Sequence, residues 1–195
     1  MNKKKLNIAL WLIVLSFWFM QFKEAYIERV NFFPYWLSGF ILLGSVCLFQ
    51  KDVSEMKLLK PLCIIIGCMD FSVWLMCVLR LNMPFQIYLL KMLSSVITLY
   101  TNYQLITNLI QFADNYGFEN TKPLKRLRLI RTIYITAFTL FLPLYNTLDE
   151  SVFTIIVEWS GWYITFCAVI DINRFRKDFF SYIASVERFS DTPKG

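Results

Sequence analysis

A chain of 195 residues that is 57% hydrophobic and 17% charged departs from the soluble average of about 45 to 50% apolar and about 25% charged. The formal charge of +6 is spread over the links between apolar blocks, not along one face, which argues against nucleic acid as a partner. There is no histidine, so the commonest general base and metal ligand is missing.

In chain order, the first apolar block runs over 6–22, behind Lys3, Lys4 and Lys5. Bulky Trp11, Phe17, Trp18 and Phe19 stand where a cleaved signal peptide needs small residues, so the block is expected to remain as a first span. Further blocks cover 32–50, 61–79, 85–111, 129–145 and 152–172. Each approaches the ~20 residues that cross a ~30 Å hydrocarbon core. The fourth is long and carries Lys91, while the fifth contains Pro143, which removes a backbone donor. Asn115-Tyr116-Gly117 and Lys122-Pro123 are turn and helix-stop signals.

The expected fold is therefore all-α, a polytopic bundle of six transmembrane helices over 1–173, followed by a basic amphipathic cytoplasmic tail over 174–195. Counting Lys and Arg in alternate connections places sixteen on one side and three, Lys23, Arg29 and Arg80, on the other, with Lys91 inside a span. By the positive-inside rule both termini are cytoplasmic. The tail's Phe175, Phe179, Tyr182, Ile183 and Val186 recur at helical spacing, which suits either an interfacial helix or an extension of the sixth span.

Ionisable groups within a span cost about 2.5 to 3.5 kcal/mol even on lenient insertion scales, so each needs a partner, a wet cavity or neutralisation. Asp70, Lys91 and Glu158 are such groups, all expected in the outer half. The short link Leu81-Asn82-Met83-Pro84 makes a hairpin of the third and fourth spans, so Asp70 and Lys91 are expected to pair. Lys91, Ser95, Thr98 and Asn102 recur at i, i+4, i+7 and i+11, on one stripe that faces protein or water. Lys125, Arg126, Arg128, Arg131, Arg174, Arg176 and Lys177 are expected at the inner surface, as orientation signals and as contacts to anionic lipid or an acidic partner.

No P-loop, dinucleotide turn, nucleophile elbow or His-based metal motif is present, and the five cysteines sit within apolar blocks. No catalysis, cofactor or metal is expected. The leading expectation is a non-enzymatic accessory, regulatory or assembly component of a bacterial cytoplasmic membrane, in contact with the bilayer and with a membrane or cytoplasmic protein. The alternative is a small-molecule or ion transporter, or its substrate-binding subunit, using Asp70, Lys91, Ser95, Thr98, Asn102 and Glu158. Size and span count are similar to the substrate-binding subunits of energy-coupling-factor vitamin importers. The A-x-x-x-A docking pattern of their first span is missing, because Ala9 is followed by Ile13, and no family is assigned.

Overall fold

A computed structural model of the chain describes residues 3–24, 34–50, 53–81, 83–141 and 150–190. Among them the only regular structure is helical. The helices are α1 (Lys3–Glu24), α2 (Leu37–Phe49), a short 3₁₀ turn (Ser54–Leu58), α3 (Leu59–Val78), α4 (Pro84–Asn115), α5 (Lys122–Phe141) and α6 (Glu150–Ser190). Pro143 lies outside the described residues.

The described part of each expected apolar block falls on one helix, but two helix bounds differ for definable reasons. Pro123 does not stop a helix. It stands at the second position of α5, in the first turn, where a missing N–H costs nothing. The α6 helix continues 18 residues past the block that ends at Ile172, because Phe175 and Phe179 are fully buried and hold it on the bundle. By contrast, Gly117 does end α4. Its φ of +72° is left-handed, Gly117 N–H reaches Asp114 O at 2.9 Å, and Phe118 N–H reaches Ala113 O at 3.0 Å. These bonds satisfy the last carbonyls in a Schellman motif.

Packing follows chain order. Each helix lies against the next, and α6 returns to α1, closing a ring. Helices α2 and α3 approach closely: a Cβ on Gly39 would stand 2.7 Å from Gly67 N, so two backbones touch. Small residues allow such contacts between apolar helices. Ser45 Oγ donates to Ala9 O at 2.9 Å and ties α2 to α1.

Large apolar side chains are exposed in stripes at helical spacing: Ile8, Trp11, Leu15 and Trp18 on α1, Phe85, Leu89, Val96 and Tyr103 on α4, and Trp159, Tyr163, Phe166 and Ile170 on α6. At one end of the bundle these stripes give way to polar ones. The change falls between Lys5 and Ile8 on α1, Arg126 and Leu129 on α5, Ile170 and Arg174 on α6, and Tyr103 and Gln111 on α4. This is called the basic end below.

By length and composition, among the described residues only Ser54–Val78 suffices to cross a membrane; Leu37–Phe49 is apolar but short. The other helices carry polar residues along their apolar stretches. Lys91 interrupts α4, Glu158 and Asp171 interrupt α6, and α1 and α5 open on lysines and arginines.

Candidate functional site

Three polar regions arise from this packing. The first joins α3 to α4. Asp70 is buried and accepts a hydrogen bond from Ser94 Oγ at 2.6 Å. Lys91, half-buried, lies one turn before Ser94 on α4. The hairpin thus brings Asp70 to the expected stretch of α4, with Ser94 as a partner that the Lys91, Ser95, Thr98, Asn102 stripe had not included.

The second region lies deeper among α1, α4, α5 and α6. Ser95, Thr98 and Asn102 are all buried, so the stripe faces inward. Asn102 Nδ2 bonds Thr98 O at 3.0 Å and approaches Met20 Sδ at 3.7 Å. Arg131 Nη2 reaches the same sulfur at 3.4 Å, and its guanidinium lies 4.0 Å from the centre of the Phe17 ring. From α6, Thr165 Oγ1 donates to Gln21 Oε1 at 3.1 Å. Gly161 makes room for this arrangement: a Cβ there would collide with the Gln21 amide and stand 2.6 Å from Tyr134 Oη. Ser16 Oγ, Gln21 Nε2, Thr98 Oγ1 and Asn102 Oδ1 are buried without a protein hydrogen-bond partner. Each such group costs about 1 to 3 kcal/mol of desolvation.

Arg131 is thus no surface residue. At 4% exposure it cannot serve as a lipid or partner contact, because it shares the buried stripe of α5 with Leu124, Leu127, Ile135 and Phe138. That register, i, i+3, i+7, i+11 and i+14, is visible in the sequence. Gln21, Thr165 and Tyr134, not expected from the sequence, join the site only through the closure of α6 on α1. Glu158 lies on α6 two turns before Thr165; its side chain is outside those described.

The third region is the basic end. Arg126 makes a two-pronged contact with buried Asp171, Nη2 to Oδ1 at 2.7 Å and Nε to Oδ2 at 3.1 Å. Hydrogen bonding and charge from Asp171 push the already high Arg126 pKa up. Arg128 donates to Thr107 Oγ1 at 3.1 Å and covers the Tyr103 ring. Lys125, Arg174 and Lys177 are exposed, and Arg176 is half-buried against α1. Beneath this charge lies an aromatic core. Phe112, Phe118, Phe175 and Phe179 join Phe49 through ring contacts of 5.4 to 5.9 Å, so the apolar face of the C-terminal segment is turned inward.

Among the described residues no group of three potential metal-ligating side chains comes together. No family model, no curated protein and no solved structure matches the chain.

Proposed function

We propose that the bundle crosses a bacterial cytoplasmic membrane six times, with the basic end and both termini in the cytoplasm. In this reading it is a non-enzymatic accessory, regulatory or assembly component that binds a protein partner through that end. The observation that carries the proposal is the exposure of large apolar side chains in stripes at helical spacing on α1, α4 and α6, which stop where lysines and arginines begin. Exposed apolar area of this extent is unfavourable in water and favourable in lipid. The partner reading draws on length. At 1.5 Å per residue the 32 residues of α4 and the 41 of α6 extend about 48 and 61 Å, beyond a ~30 Å hydrocarbon core. With the start of α5 their surplus forms a stub that turns Lys122, Lys125, Arg174 and Lys177 outward, suited to an acidic partner.

Two measurements test this. Alkaline carbonate washing should leave the chain in the membrane pellet, and its release into the supernatant would sink the membrane reading. A protein that copurifies at fixed stoichiometry should be lost on Lys125→Gln with Arg174→Gln while the melting temperature in detergent is unchanged. A chain that purifies alone at full stability from its native membrane removes the partner reading.

The buried unpartnered atoms of Gln21, Thr98 and Asn102 favour a second reading, a transporter or ligand-binding subunit for a small polar molecule or ion. It requires ligand-dependent thermal stabilisation that Asn102→Leu abolishes.

A further inference from the structure

We infer that the groove between the start of α1 and the C-terminal part of α6 holds the phosphate headgroup of an anionic phospholipid; this rests on the membrane reading above. The groove measures about 550 Å³ and is lined by Lys3, Lys4, Asn7, Arg176, Lys177 and Phe180. Arg176 and Lys177 bring the α6 side of the groove its positive charge. Arg176 is held in place by neutral groups. Nη1 donates to Asn7 Oδ1 at 2.8 Å, Nη2 to Asn173 Oδ1 at 2.9 Å, and the guanidinium lies 5.0 Å from the centre of the Trp11 ring. Amide oxygens orient the cation without neutralising it, in contrast to Arg126, whose charge is matched by Asp171. A fixed guanidinium beside the exposed Lys177 is suited to phosphate oxygens.

Position selects a lipid over a soluble anion. The groove opens where the exposed stripe of α6 changes from Ile170 to Arg174 and Lys177. From Arg176 a shallow seam continues into the apolar band between Leu10, Trp11, Val14 and Ile172. The cations of the groove thus stand directly beside the exposed apolar band, as a headgroup whose acyl chains lie along that band requires and a free phosphate does not. Basic residues at this level attract anionic headgroups.

The test uses the full chain in nonionic detergent, titrated with phosphatidylglycerol, with phosphatidylcholine of the same acyl chains, and with inorganic phosphate. Melting temperature and lipid retained in native mass spectrometry are read. Phosphatidylglycerol should stabilise and be retained, whereas the other two should not. Lys177→Gln, an exposed substitution that leaves packing intact, should weaken phosphatidylglycerol binding roughly fivefold at low salt, and Arg176→Lys should weaken it by removing the fork. Lys125→Gln, on α5 away from the groove, should leave it unchanged. Equal stabilisation by both lipids, or equal loss in Lys177→Gln and Lys125→Gln, overturns the site. Stabilisation by inorganic phosphate alone overturns the lipid assignment. Failure of the membrane reading is separate, since the carbonate wash would then release the chain whatever phosphatidylglycerol does.

Discussion

Two levels of the same bundle are built on opposite rules. Around Gln21, Asn102, Arg131 and Thr165 the interior sets polar groups among apolar ones such as Phe17, Met20 and Ile135, and the outer surface at that level carries Trp18, Tyr163 and Phe166. At the basic end the interior is Phe49, Phe112, Phe175 and Phe179, and the surface carries Lys122, Lys125, Arg174 and Lys177. Helices α4 and α6 pass through both levels without a break, so the outward face of one continuous helix changes from apolar to polar along its length. In the membrane reading proposed above, such a change follows from a change of solvent. Apolar burial is driven by water and is lost in lipid, so that reading puts the aromatic core where water surrounds the helices and the small and polar contacts where lipid does.

If this division holds, the largest loss should come from the aromatic end. Phe179→Ala removes a fully buried ring that meets Phe112, Phe118 and Tyr116, and should cost about 3 to 5 kcal/mol. In detergent this should appear as a markedly lower melting temperature and poor accumulation in membranes. A Phe179→Ala protein as stable as wild type would mean that α6 does not dock beyond Ile172.

A smaller loss is expected at the polar level. Gly161→Ala pushes a methyl group into the Gln21 amide and Tyr134 Oη. Overpacking of this kind costs about 1 to 3 kcal/mol, against the roughly 1 kcal/mol by which alanine favours a helix over glycine. The net expectation is a loss of up to about 2 kcal/mol. Gln21→Ala should restore tolerance by removing the colliding amide, and a double variant no better than Gly161→Ala would place the clash elsewhere.

The sequence carries much of this pattern but not all. Apolar blocks mark the helices because length and hydropathy are local properties. The inward turn of Thr98 and Asn102 is likewise legible, because their spacing with Ser95 selects one face of α4. Arg131 was legible in its phase with Leu127 and Ile135, but it sits only three residues after Arg128, so charge counting groups it with the surface. Gln21 and Thr165 meet across 144 residues, a contact that requires the ring to close, and no local pattern encodes closure. The run of α6 beyond Ile172 was ambiguous for a related reason. Phe175 and Phe179 show helical spacing wherever they pack, and only the end of α4 determines that they pack inward.

The smallest predicted effect has the opposite sign. Ser16 Oγ and Thr98 Oγ1 are buried with no protein partner, so removing them relieves desolvation without breaking a hydrogen bond within the chain. Ser16→Ala and Thr98→Val should each raise stability by about 1 kcal/mol, toward the lower end of the cost of an unpaired buried polar group. At the aromatic end the buried rings of Phe112, Phe175 and Phe179 carry no polar atom to relieve, so truncating them is only a loss. A fall in melting temperature for both variants would show that these hydroxyls are satisfied in the working protein, by water or by a polar solute. Thr98→Val would then separate the two: a lost response to added ligand selects the solute, and an unchanged protein without any ligand response selects water held as part of the core.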